Sequence, residues 1–194
     1  MKGMIQVYTG NGKGKTTASI GLALRALGAG QRVLFLQFMK EKKYSEHKIL
    51  DSLYPMLESE TVGKPFFVSP EGAIDADSKE KWKDTVVVFP PGHPPADYVA
   101  VIDQGLERAR QALSSGEYGL VVLDEINVAL LFGLVAWPVL ETMLDQRHEH
   151  TEVVLTGRGA PAALIDKADL VTEMTEVKHY YQTQGLIARL GIEY

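Results

Sequence analysis

The 194 residues carry 20 Lys+Arg against 25 Asp+Glu, a formal net charge of −5, with 45% hydrophobic and 23% charged residues. A chain of this length can bury a sizeable core, this composition excludes a disordered polymer, and the acidic balance argues against nucleic acid as the main partner. There is no cysteine, which excludes disulfides, thiolate nucleophiles and zinc ribbons and fits a reducing cytoplasm.

In chain order, "MIQVY" (4–8) predicts a short buried strand. The break at Gly10 leaves this apolar start too short for a signal peptide. "KTTASIGLALRALGAG" (15–30) predicts a helix ended by Gly28 or Gly30. Its apolar residues leave few positions to expose, so it should lie against a sheet. "RVLFLQFM" (32–39) predicts a second buried strand, because apolar residues run on without alternation. Between Lys40 and Ala96 the pattern weakens. "KEKKYSEHKILDSLYPML" (40–57) predicts a helix with a charged start, and "KPFFVS" (64–69) and "DTVVVFPPG" (84–92) predict short strands. "FPPGHPPAD" (89–97) is a loop, since four prolines cannot continue a sheet.

"ADYVAVIDQGLERARQALSSG" (96–116) predicts a helix with apolar positions at Val99, Ile102, Leu106, Ala109 and Leu113, a spacing of three and four. "YGLVVLDE" (118–125) is a buried strand, followed by helical text to about Gln146. Then come a strand, "EVVLTG" (152–157), a short helix from Pro161, and a strand, "DLVTEM" (169–174). The tail "VKHYYQTQGLIARLGIEY" yields no assignment. The longest apolar run, Val128 to Leu140, is too short to span a bilayer and holds Pro138, so it serves a core or an interface. No repeat or linker interrupts residues 1–194, and one nucleotide-binding domain is expected. Alternating strands and helices predict an α/β fold, a mostly parallel sheet with helices on both faces. In such sheets ligands bind beyond the carboxyl ends of the strands.

"GNGKGKT" (10–16) lies between a strand and a helix, the context a phosphate-binding loop requires. The glycines let successive backbone N–H groups turn inward as an anion nest, and the helix start adds its dipole and free N–H groups. Lys15 can reach phosphate oxygens, Lys13 adds a second cation, and the Thr16 hydroxyl suits Mg²⁺. The pattern G-x-x-x-x-G-K-[ST] is varied: Thr9 stands where the first glycine falls, and Gly10 follows it.

"LVVLDE" supplies Asp124 and Glu125 at a strand end, where a carboxylate can hold Mg²⁺ directly or through water. "VVLTGRGAP" (153–161) opens another strand end onto Arg158, whose fork suits phosphate or ribose oxygens. "QFMK" (37–40) brings Gln37 and Lys40 to the same edge as candidate ligand contacts. The residues after Lys40, namely Glu41, Lys42 and Lys43, predict instead that it opens a solvated charge run. His148 and His150 flank Glu149 without further ligands nearby, which predicts a solvated loop rather than a metal site. His93 lies in the proline loop, and His179 stands beside aromatics where it lines a pocket or packs. No Ser–His–Asp constellation is legible.

Together, "YTGNGKGKTTASIGLALRALGAGQRVLFLQFMK", "LVVLDEINVAL", "EVVLTGRGAP" and "ADLVTEMTEVKHYYQTQGLIARLGIEY" resemble the ATP:corrinoid adenosyltransferases, the cob(I)alamin or cob(I)yrinic acid a,c-diamide type with a phosphate loop. A generic phosphate-loop enzyme would share only the first element. The resemblance implies a P-loop NTPase (RecA-like) architecture and transfer of the 5′-deoxyadenosyl group of ATP to the Co(I) of a reduced corrinoid, with triphosphate as leaving group. No side-chain nucleophile is needed, since the cofactor metal supplies it.

Carried over to this sequence, the resemblance implies that Gly10, Asn11, Gly12, Lys13, Gly14, Lys15, Thr16 and Thr17 wrap the nucleotide's phosphates. Lys13 and Lys15 neutralise them as the catalytic cations, and Arg158 contacts the nucleotide. Thr16 and Glu125 hold Mg²⁺, with Asp124 nearby. The implied partners are ATP, a corrinoid and an electron-donating reductase, in the cytoplasm, with a tendency to homodimers and with neither nucleic acid nor membrane.

The middle of the chain departs. Where the family has a Gly-Phe-Thr-Trp-like segment on the corrinoid side, this chain reads "VVVFPPGHPPADYVAV", with Trp82 in a different setting. "VALLFGLVAW" replaces a charged pair after "DEIN". The corrinoid is therefore expected on a reshaped apolar surface that includes Phe89 or Phe132. Two rivals remain at this point: a phosphate-loop kinase or NTPase, which would release ADP, and a non-catalytic module that binds ATP or a corrinoid without turnover.

Overall fold

The computed structural model describes residues 2–41, 44–73 and 85–193; Lys42, Lys43, Trp82 and Asp84 lie outside the described residues. The elements in order are β1 (Ile5–Thr9), α1 (Lys15–Gly28), β2 (Val33–Phe38), α2 (Ser45–Ser52), β3 (Leu57–Val62), β4 (Phe67–Pro70), β5 (Val86–Phe89), α3 (Ala96–Ser115), β6 (Leu120–Asp124), α4 (Ile126–Leu131), α5 (Trp137–Asp145), β7 (Glu152–Thr156), α6 (Ala162–Lys167), β8 (Leu170–Glu173) and α7 (Tyr180–Gln184). Six strands form one parallel sheet in the order β3-β2-β6-β7-β1-β8. β4 and β5 pair in parallel as a separate ribbon. β7 lies between the loop-bearing strand β1 and the acid-bearing strand β6, the order of a RecA-like P-loop NTPase.

The central strands read as unbroken apolar runs because both faces of the sheet are covered. Along β2 the pleat sends Leu34, Leu36 and Phe38 to one side, among residues of α3, α4 and α5. Val33 and Phe35 go to the other side, against Ala23 of α1 and Leu50 of α2.

Three expectations shift. α1 lies against the sheet but exposes more than its composition suggests: Lys15, Ser19 and Ala23 are buried, Ile20, Leu22 and Leu27 pack part-buried on the core, and Leu24 is 47% exposed. The strand β3, "LESETV", carries polar residues along an edge of the sheet and is missed by a search for apolar runs. The helical text after Glu125 divides into α4 and α5, with Pro138 in the first turn of α5, where its missing N–H costs nothing. Most of Val128–Leu140 serves the core through Ala129, Leu134, Val135 and Leu140.

Candidate active site

β1 ends at Thr9 and the loop begins. Gly14 caps α1 with φ at 114°, a left-handed conformation that costs glycine little. Lys15 folds back so that its Nζ donates to the carbonyls of Gly10 at 2.8 Å and Gly12 at 2.7 Å. Burial lowers its pKa, with Glu125 and Asp124 pulling the other way and Arg158 adding to the fall. The C-terminal segment closes over the loop: the Gly12 N–H donates to the Met174 carbonyl at 2.6 Å, and Lys13 Nζ donates to the Ile192 carbonyl at 3.2 Å.

Two carboxylates stand at the end of β6 in different surroundings. Asp124 is fully buried. It accepts from the Thr16 hydroxyl at 2.9 Å, the Thr156 hydroxyl at 2.6 Å, Gln37 Nε2 at 3.1 Å and Lys40 Nζ at 2.8 Å. Burial works to raise its pKa, but the Lys40 charge and the hydrogen bonds from Lys40, Thr156 and Gln37 outweigh that and hold it below the usual carboxylate range. Glu125 takes a left-handed backbone, φ 62°, and lines the cleft. Burial first and the Asp124 charge second push its pKa up, against Lys40, Lys15 and Arg158.

Of the residues marked from sequence, Asn11, Gly12, Lys13, Gly14, Lys15, Thr16, Thr17, Glu125 and Arg158 line one cleft of about 700 Å³ at the carboxyl edge of the sheet. Gly10 sits at the base of the loop, and Asp124 lies behind the wall. Lys40 corrects the expectation of a solvated run. Its side chain is 12% exposed and paired with Asp124, because Met39 takes a left-handed turn, φ 58°, that brings the next residue over the strand ends. Gln37 contacts Asp124 rather than the cleft. The sequence missed Thr156, Tyr44 and His47. The buried His47 ring meets Gln37 Oε1 through Nε2 and stands edge-on to Tyr44. For Thr156 the signal was its place immediately before "GRG"; for His47 there was none.

Of the other histidines, His93, His148 and His150 stand away from the cleft. His148 and His150 face each other at 5.3 Å, and among the described residues no group of three or more such side chains can hold a metal. His93 is exposed. His179 caps α7, its Nδ1 accepting from the Tyr181 N–H at 3.1 Å, and lines the cleft.

The apolar wall also differs from expectation. Phe89 is 3% exposed inside the main core and cannot offer a surface; Phe132 is half-buried against the same core. The aromatic residues beside the cleft include Tyr44, Phe66 and Phe67. With Met39, Lys64 and Pro65 they line a cavity of about 510 Å³ that shares Tyr44 and Glu193 with the cleft.

Residues 1–194 match the family model described as ATP:corrinoid adenosyltransferase BtuR/CobO/CobP. The chain is 32% identical, over its whole length and 84% of the relative, to a protein of Pseudomonas aeruginosa named corrinoid adenosyltransferase. It is 32% identical to a Salmonella typhimurium protein named corrinoid adenosyltransferase CobA, over its whole length and 86% of that protein. It is also 34% identical to an uncharacterised protein of Nostoc sp., of which it spans about half the length, 48%. A KaiC-like protein of Pyrococcus horikoshii superposes with a TM-score of 0.48 at 15% identity, over 89% of this chain and 73% of that one.

Proposed function

Because the chain belongs to the ATP:corrinoid adenosyltransferase family, which it matches from residue 1 to residue 194, we propose that its cleft transfers the 5′-deoxyadenosyl group of ATP to the Co(I) of a reduced corrinoid and releases triphosphate. The observation that carries this reading is the convergence of Lys13, Lys15, Arg158 and the Thr16 hydroxyl with Glu125 in one cleft. Such a cleft can hold a polyphosphate tail and neutralise it as it departs. Co(I) brings the attacking electron pair, so the protein has to align C5′ with cobalt and stabilise the leaving charge. The loop amides, the α1 dipole and the Lys15 ammonium suit that task.

The donor set also fits Mg²⁺. A hydroxyl and carboxylates are hard oxygen ligands, as that ion requires. Thr16 and Glu125 would hold it, with Asp124 behind Thr16 fixing the hydroxyl. Bound there, the ion would add positive charge to the polyphosphate site. Asp124 itself is committed to four donors, so its part is to orient.

For the corrinoid, the cavity of Met39, Pro65, Phe66 and Phe67 is the better surface, since it adjoins the cleft through Tyr44. It follows β3, where the chain reads "GKPFF". An apolar wall there would exclude water from the cobalt face. A reductase in the cytoplasm would supply Co(I), and a homodimer is the assembly this reading adopts. Among the described residues no helix is long and apolar enough to cross a membrane.

The test is an assay with ATP, Mg²⁺ and chemically reduced cobalamin, following loss of the Co(I) spectrum and the phosphate product. Triphosphate is expected, and Lys15→Ala should remove it. ADP as product, or ATP binding without any adenosylated corrinoid, would overturn the reading.

A further inference from the structure

One cation in the cleft has no part in the reading above. Lys40 follows a strand that ends buried, and its Nζ lies 2.8 Å from Asp124 Oδ2. The same Oδ2 lies 3.2 Å from the Thr16 hydroxyl, so one carboxylate oxygen joins the ammonium to the first turn of α1. Lys40 also lines the cleft, and its Nζ stands 5.2 Å from the centre of the Tyr44 ring. Asp124 satisfies one of three N–H donors of the ammonium. The backbone just before it is unusual: Met39 is left-handed without being glycine, at φ 58°, a strained conformation that clusters at working sites.

We propose that Lys40 is a further binding residue for the triphosphate leaving group, held in reserve on Asp124 and drawn onto the polyphosphate as the C5′–O bond breaks. The proposal rests on the adenosyl-transfer reading of the same cleft. In that step the Co(I) electron pair forms the Co–C5′ bond. Both electrons of the C5′–O bond stay on the phosphate oxygen, so the departing triphosphate carries one more negative charge than the bound tail of ATP. An interaction that strengthens only as charge develops accelerates the chemical step rather than ground-state binding. Lys40 is suited to this because its resting partner is a carboxylate that Thr16, Thr156 and Gln37 also satisfy. Asp124 therefore keeps donors when the ammonium turns toward the cleft.

The test compares the wild-type protein with Lys40→Met and Lys40→Arg, each titrated calorimetrically with inorganic triphosphate and with ATP, and each melted. Lys40→Met should bind triphosphate about tenfold or more weakly while ATP affinity changes by less than about threefold, with kcat falling and the ATP KM held. Lys40→Arg should stay near the wild type. A folded Lys40→Met with wild-type triphosphate affinity overturns the proposal. If Lys40→Met melts too low to titrate, Lys40→Gln carries the same comparison, and unchanged triphosphate affinity there overturns it equally. If the wild type fails to adenosylate a corrinoid, the function above falls, while the triphosphate titrations still decide whether Lys40 binds that anion.

Discussion

The Met174 carbonyl sits directly on Gly12: it accepts the Gly12 N–H at 2.6 Å, and a Cβ placed on Gly12 would lie 2.6 Å from that same oxygen. Gly10 meets the same obstacle, at 2.5 Å. These two glycines are therefore required by the exit of β8 as well as by any phosphate, and the loop and the C-terminal segment form one unit. Gly12→Ala should force the two backbones apart and destabilise the protein by about 1–3 kcal/mol. ATP affinity should fall with it. Urea denaturation and nucleotide titration check both. A variant of wild-type stability and affinity would show that the segment yields freely.

The neighbouring carboxylates should separate on mutation. Removing Asp124 leaves Lys40 buried without its counter-charge, and Asp124→Ala should cost about 3–5 kcal/mol of stability. The Glu125 pKa is raised by burial and by Asp124, so its charge is poorly favoured where it stands. Glu125→Gln should change stability by no more than about 1 kcal/mol, the scale of a single hydrogen bond, yet lose magnesium-dependent turnover. Denaturant melts beside the adenosylation assay measure the split; equal losses of stability would refute the division of labour.

How far the sequence led is clear from particular residues. The loop, the two acids and Arg158 were legible because each follows a buried strand, and a parallel sheet carries all such strand ends to one edge. Lys40 was misjudged because composition suggests solvation, whereas the left-handed turn at Met39 decides where the side chain goes. β3 hid because edge strands tolerate polar residues, and Arg108 binds two of them, Glu58 and Glu60, each at 2.8 Å. Phe89 was expected on a surface because its segment stands where the family's Gly-Phe-Thr-Trp-like segment falls, but the ring itself turns into the main core.

α3 shows a limit of apolar spacing as a guide. Its buried face includes Gly105, which no hydrophobic pattern marks. A Cβ there would meet Val62 Cγ1 at 2.5 Å and Phe38 Cε1 at 3.1 Å. Gly105→Ala would gain about 1 kcal/mol of helix propensity if exposed, but overpacking against a stiff valine should outweigh it, for a net loss of about 1–2 kcal/mol. Val62→Ala in the same chain should recover most of the loss. A double-mutant cycle of melts reads the coupling, and strict additivity would mean that the helix simply shifts.

Tyr98, near the start of the same helix, is fully buried, and its hydroxyl has no hydrogen-bond partner among the described residues. The ring packs against Phe66 at 5.8 Å, so the side chain is kept for its aromatic body. Tyr98→Phe removes an unsatisfied polar atom and should leave stability unchanged or raise it by up to about 1 kcal/mol. Burial pushes the phenol's pKa up to about 12, above the value of about 10 in an unfolded chain. The unfolded state thus releases its proton first as pH rises. The contribution of Tyr98 is complete below pH 10 or so and is lost as pH climbs from there through about 12. Melts of the two proteins between neutral and strongly alkaline pH should diverge in that window, the Tyr98→Phe curve falling less steeply. Parallel alkaline limbs would mean that the phenol ionises as readily in the folded protein as outside it.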